Sequence, residues 1–407
     1  MPSKNLIVIV VEGLHAGMVG AYGNSWIRTA ALDDLACESF LFDQAFVNSP
    51  QVEQFYRAVW HGVPAADSTA DELAGVSLPQ RLNQAGMQTV LLTDSPRVAV
   101  LLPAAEFAEQ VLVDQPTELR TAADISETGL ARLFGAASDW LTKPREPFCL
   151  WIHARGLTGP WDAPLEMRNR FAEEDDPRPP TMVEVPSFWL PDDCDPDEPL
   201  GIKHAYAGQV SLLDTCLGAF LDAFSESPLA ATTQLTFISA HGFPLGEHRR
   251  IGTCDEALYN ELTQLVWMMR FPDASGKLAR TQALVQPSDL AGALLDWLGL
   301  DRGAFAANTA SSLLGLVRGE ADALRERLLL VGPHDRAVRT PAWHLRQPLT
   351  GAAELYAKPS DRWEVNEVAN LLPDITSGLH AALDEMSQAG PSSPLAPLPE
   401  SLTTELD

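Results

Sequence analysis

The sequence predicts an α/β fold, with a central, mostly parallel sheet flanked by helices and a small α+β subdomain at the C-terminal end. Three observations carry that prediction: recurrent β-branched runs, helical periodicities between them, and a change of texture after residue 300. Residues 6–11 (LIVIVV) are continuously apolar, the pattern of a strand covered on both faces, as in a parallel sheet. Similar runs recur at 89–92, 148–152, 235–238 and 265–269. Apolar residues at helical spacing occupy 32–40, 78–85 and 207–224, so strand and helix alternate. Ligands of such sheets sit beyond the carboxyl ends of the strands, which marks 12–15, 93–97, 153–158 and 239–241 as the segments to read for chemistry.

Residues 172–200 are rich in Pro, Asp and Glu and read as an acidic insertion, a solvated loop over the domain surface. Residues 288–300 read as a helix, with Gly299 near its end. Beyond it, 328–331 and 342–346 read as strands and 371–386 as a closing helix. The expected organisation is an α/β domain over 1–300, a subdomain over 301–386, and a proline-rich, disordered tail over 387–407.

Length and charge bound the function. A chain of 407 residues buries a large core and suits two domains. Its 28 basic against 55 acidic residues give a formal charge of −27, which argues against nucleic acid or an anionic membrane as partner. Cys37, Cys149, Cys194, Cys216 and Cys254 are scattered without C-x-x-C spacing, so neither a disulfide framework nor a zinc site is expected. No apolar run reaches the ~18 residues of a membrane span, and Met1 to Lys4 lead straight into the first strand without room for a signal peptide. A cytoplasmic protein with reduced thiols is the expectation.

Five segments carry a family likeness. Residues 5–24 (NLIVIVVEGLHAGMVGAYGN) precede RTAALDDLACESFLFDQAF, and residues 48–62 read NSPQVEQFYRAVWHG. Later come ISAHGFPLGEH, PSDLAGALLDWLGL, and finally RTPAWHL with AELYAKPSDRWEVNEVAN. In this order they resemble the sulfatase family of the alkaline phosphatase superfamily, over nearly the whole chain from Asn5 to about Met386. The resemblance implies an alkaline-phosphatase-like sandwich. It also implies a machine for sulfate esters: a divalent cation, usually calcium, polarising a sulfuryl oxygen, a modified cysteine or serine as nucleophile, and lysines, arginine and histidines that neutralise developing charge.

Carried onto this chain position by position, that machine is mostly missing. The opening pair of metal aspartates falls on Glu12 and Gly13, and the third on Ala240, beside a matching His241. The nucleophile position is Val52, although Ser49, Pro50 and Gly62 keep the loop's frame, and its partner arginine is Tyr56. Arg57 is adjacent, but one residue along a helix points about 100° away. The lysine and histidine after the strand ending near Leu92 fall around Asp94 and Pro96. The histidine before the Gly159–Pro160–Trp161 turn falls on Thr158, and the last lysine on Thr253 or Asp255. Two of four metal positions remain able to bind, and no member of the charge-neutralising set is present at its expected place.

These residues also have plainer readings. Glu12 and His241 are either a residual metal pair, joined by a transition metal ligand such as His15 or His248, or a buried carboxylate and a hydrogen-bonded turn residue. Ser49, Glu53 and His61 can be drawn as a nucleophile, acid and base, but a helix would separate the last two by two turns or more. Trp151, Trp161 and Trp267 read as core. No cofactor is expected, with residual calcium or magnesium as the exception. The functional expectation is a catalytically inactive, sulfatase-like pseudoenzyme with a scaffold, regulatory or binding role toward a protein partner. The alternatives are a divergent sulfuric-ester or phosphoric-ester hydrolase with a rearranged site, and a small-molecule binding module. In the binding module Glu12, Gly13, Val52, Tyr56, Thr158, Ala240 and His241 would line the pocket.

Overall fold

A computed structural model describes residues 4–63, 76–116, 118–144, 147–252, 257–302, 312–389 and 395–404. The strands are β1 (Asn5–Val11), β2 (Phe40–Phe42), β3 (Gln88–Thr93), β4 (Glu109–Leu112), β5 (Phe148–Ala154), β6 (Ser187–Trp189), β7 (Thr233–Ser239), β8 (Arg250–Gly252), β9 (Trp267–Arg270) and β10 (Arg280–Thr281). Four more follow: β11 (Leu328–Val331), β12 (Asp335–Arg339), β13 (Trp343–Pro348) and β14 (Glu354–Ala357). The central sheet has eight strands in the order β10-β2-β9-β7-β1-β5-β3-β4. β7, β1, β5, β3 and β4 run parallel, whereas β9 is antiparallel to both β7 and β2. The sheet is therefore mixed at one side, and parallel where β1 sits between β7 and β5.

The chain divides into two compact units: 1–41, 82–254 and 266–279 in the first, 42–81, 255–265 and 280–407 in the second. The expected boundary at residue 300 falls inside the second unit. In the first, every residue of β1, β5 and β7 is buried, which explains their unbroken apolar runs. The helix Asp197–Glu226 packs against the helices Ala30–Cys37 and Gly129–Leu141. It begins ten residues earlier than its apolar periodicity suggests, because Asp197 and Glu198 suit the positive end of the helix dipole. The acidic insertion therefore ends within this helix. Nor is the rest simply solvated. The fully buried guanidinium of Arg168 donates from Nη1 to the Pro180 and Met182 carbonyls at 2.6 and 2.9 Å, and from Nη2 to Trp161 O. A buried guanidinium needs such acceptors, and the insertion supplies two of them. Its β6 also pairs antiparallel with β8.

In the second unit β11, β12, β13 and β14 form a four-stranded antiparallel sheet, and the helix Pro373–Gln388 packs on it through Ile375, Leu379 and Leu383. The C-terminal motif earns its place by hydrogen bonding: Glu354 receives Arg346 at 3.1 Å and the Tyr259 hydroxyl at 2.8 Å, and Asp361 accepts from the Asn366 amide at 2.8 Å. The expected disordered tail is corrected over 395–404. Leu402 is buried, the Trp343 indole donates to Ser401 O at 3.0 Å, and Arg327 donates to Ala396 O at 2.8 Å. These anchors, together with the Ala396 and Leu398 amides bonded to Glu385 and Glu326, hold a segment whose proline-rich composition reads as coil.

Candidate functional site

At the carboxyl ends of β1, β5, β7 and β3, the first unit gathers a compact group of acids and bases. The backbone sets it up. Ala240 N donates to Val11 O at 2.8 Å, Glu12 N to Ala154 O at 3.0 Å, and Leu157 N to Glu12 O at 3.0 Å. The turn after β1 is held tight by Gly13, whose φ of +72° suits glycine. A Cβ there would meet Thr158 Cγ2 at 2.8 Å. The Gly13 carbonyl accepts the buried Tyr206 hydroxyl at 2.8 Å, and that oxygen in turn accepts from His15 N at 2.9 Å.

Glu12 is the centre of the group and only 8% exposed. His153 Nε2 lies 2.9 Å from its Oε1, and the Thr158 hydroxyl donates to its Oε2 at 2.9 Å. His241 Nε2 stands 3.9 Å from the same Oε2, while its Nδ1 is 2.7 Å from Gly242 O. A carbonyl can only accept, so Nδ1 carries the proton of that bond and Nε2 is turned to the carboxylate. Burial alone would raise the Glu12 carboxyl. The neighbouring imidazoles of His153 and His241 outweigh burial and hold it far below the usual carboxylate range.

β5 lies between β1 and β3, with His153 level with Val10 on one side and Thr93 on the other. Its end therefore serves both neighbours. Arg155, two residues on, donates its amide to Asp94 Oδ1 at 2.8 Å, with its guanidinium Nε 3.7 Å from Oδ2. Burial pushes the Asp94 carboxyl upward, opposed by these two Arg155 contacts. A third pair stands nearby in sequence: His15 Nε2 is 3.6 Å from Glu247, and Leu245 N donates to the same carboxylate at 2.7 Å. Burial would raise Glu247, but His15 holds it low.

Of the residues expected at the site, Glu12, Gly13, Thr158, Ala240 and His241 come together here. His153 and Arg155 were not singled out from sequence, and they supply the basic groups that the expected positions lack. Their segment, 153–158, is marked from sequence as a strand end to read for chemistry. Which of its residues meet Glu12 and Asp94 emerges only once β1 and β3 are known to flank it. Among the described residues, no cluster of three or more His, Cys, Asp or Glu is arranged to hold a metal ion. Thr253 and Asp255 lie outside the described residues, as does Cys254.

Val52 and Tyr56 belong to the second unit. Val52 is the first residue of the helix Val52–His61, 3% exposed, and Gly62 closes the helix at φ +69°. Tyr56 is buried, its ring 4.0 Å from that of Trp60 and 5.3 Å from that of Phe55. Glu53 and His61 sit at opposite ends of this helix, eight residues or roughly 12 Å apart along the axis. They do not form an acid–base pair with Ser49, whose hydroxyl instead faces Gln51 N at 3.5 Å.

Comparison with known proteins gives one direction. The sulfatase family model matches residues 4–300. A protein of Formosa agariphila described as a sulfatase is 31% identical over 173 residues, covering 42% of this chain and 33% of that relative's length. The chain thus aligns with about a third of that relative. Among solved structures, the phosphonate monoester hydrolase of Agrobacterium radiobacter superposes with a TM-score of 0.76 at 16% identity, covering 94% of this chain and 96% of that one. A protein solved with its substrate D-glucosamine-2-N,6-O-disulfate superposes with a TM-score of 0.77 at 16% identity, covering 95% and 98%. At that identity the structural likeness establishes the fold alone.

Proposed function

Because the chain belongs to the sulfatase family, we propose that it is a member that has lost sulfuric-ester hydrolysis and acts as a scaffold, regulatory or binding protein. One observation carries the reading. Val52, at the family's nucleophile position, is a hydrocarbon at the start of a helix that keeps the surrounding frame. A covalent route needs an atom with an available lone pair and a group to activate it, and valine offers neither. Tyr56 at the arginine position and Thr158 at the histidine position remove two further positive charges, each of the kind whose loss costs about 3–4 kcal/mol of transition-state stabilisation elsewhere.

The direct test is hydrolysis of 4-nitrophenyl sulfate by purified protein, with and without chelator. The expected result is a rate equal to buffer alone under both conditions. Chelator-sensitive turnover above buffer would overturn the reading.

The Glu12–His153 pair favours a second reading, a rearranged hydrolase of sulfuric or phosphoric esters. A carboxylate with an imidazole nitrogen 2.9 Å away is a workable acid–base unit. The same assay, extended to bis-(4-nitrophenyl) phosphate and a phosphonate monoester, separates the two. Turnover that His153→Gln abolishes would establish the second reading.

A further inference from the structure

The family's divalent cation is tested best at Glu12, the one carboxylate this chain keeps among the metal positions. A hard cation needs about six to eight oxygen ligands at 2.3–2.6 Å. Gly13 has no side chain, Ala240 presents a methyl group, and His241 offers nitrogen. Both Glu12 oxygens are already engaged at 2.9 Å, Oε1 by His153 Nε2 and Oε2 by the Thr158 hydroxyl. These residues do not fit the group.

We propose that His153 is a built-in replacement for the metal: its ring and the Thr158 hydroxyl take up the two oxygens of Glu12, and the strand ends are held together without a divalent ion. Three further observations support it. First, His153 is fully buried on a central strand, where a polar ring is retained only with a partner. Second, the β1–β5 register sets His153 level with Val10, two residues before Glu12, so the strand pairing brings the acid and the ring together. Third, Gly13 cannot regain an aspartate without strain, because its φ is +72° and a Cβ would press on Thr158 at 2.8 Å. The turn has thus closed around the hydrogen-bonded acid.

The imidazole does what a cation does for the fold, satisfying a buried carboxylate, while supplying none of its Lewis acidity. The same geometry places His241 Nε2 3.9 Å from Oε2, a second imidazole on the same acid.

The experiment uses the intact chain. Elemental analysis of protein purified without chelator is expected to find substoichiometric calcium, magnesium and zinc. Its thermal midpoint is expected to be unmoved by excess EDTA or by millimolar calcium, magnesium or zinc. A resident ion present at 100 times its Kd would instead raise the midpoint by roughly 5 °C. His153→Leu is expected to lower the midpoint, and His153→Gln, which keeps a donor, to restore most of the loss. One equivalent of any divalent metal, a midpoint that falls with EDTA, or a His153→Leu variant as stable as the parent would each overturn the proposal. If His153→Leu does not fold, the metal analysis and chelator titration of the parent chain decide alone. A metal-free protein that hydrolyses sulfate esters would defeat the proposed loss of hydrolysis and leave this inference standing. A metal-loaded, inert protein would do the reverse.

Discussion

Restoring the family's second acid, Gly13→Asp, is expected to damage the protein rather than repair it. Two effects combine. An L-residue at φ +72° costs about 1–2 kcal/mol. The new Cβ would lie 2.8 Å from Thr158 Cγ2, so Thr158 must swing away and loosen its 2.9 Å hydrogen bond to Glu12. A hydrogen bond to a charged group is worth ~1.5–3 kcal/mol. Together they place the loss at about 3–5 kcal/mol, before any repulsion between two neighbouring carboxylates. Urea unfolding at pH 7, followed by tryptophan fluorescence, measures it, and Gly13→Ala separates backbone strain and crowding from charge. Gly13→Ala is expected to show most of the loss. If Gly13→Asp unfolds within 0.5 kcal/mol of the parent, a threshold set by ordinary surface substitutions, then the turn is not closed around Glu12 as described. Stabilisation of Gly13→Asp by calcium would point the same way.

Other outcomes follow from single residues. Arg168→Leu strips the donor from the carbonyls of Trp161, Pro180 and Met182. It is expected to cost about 3 kcal/mol and to speed amide exchange across residues 178–190, which mass spectrometry would locate. In the second unit, burial lowers the His344 imidazole from 6.5 to about 4. The unfolded chain then takes up this proton below pH 6.5 while the folded chain resists until about 4. His344 therefore withholds no stability above pH 6.5, and roughly 3 kcal/mol is lost as pH falls between those values. His344→Gln is expected to flatten that part of the profile in urea titrations across pH 4–7. An unchanged slope would show that His344 is not the titrating group. Trp343→Phe removes the indole bond to Ser401 O and is expected to raise amide exchange in 395–404, leaving β7 and β1 unaffected.

Much of the fold is legible in the sequence, because burial on both faces writes itself as unbroken apolar letters. Residues 6–11 and 235–238 show this plainly, and both strands prove fully buried. β4 is not legible for the converse reason. It is an edge strand whose Glu109, Gln110 and Leu112 are exposed, so no apolar pattern marks it. The site divides in the same way. Gly13, Val52, Thr158 and Ala240 are readable as departures from a family pattern, since each can be compared position by position. His153 departs from nothing that such a comparison tracks. Its meaning comes from the parallel pairing that sets it beside Val10, one residue before the strand hands on to Val11 and Glu12. The β1–β5 pairs join residues 143 positions apart, a distance at which local sequence is silent.

On the proposed reading, the family's reaction has no starting atom in this chain. A single-turnover experiment addresses it most directly: protein at tens of micromolar mixed with 4-nitrophenyl sulfate, with released nitrophenol followed from the mixing time onward. The expected trace is a line with the slope of buffer and no initial burst. A burst approaching one equivalent of protein, the signature of a covalent intermediate, would contradict it.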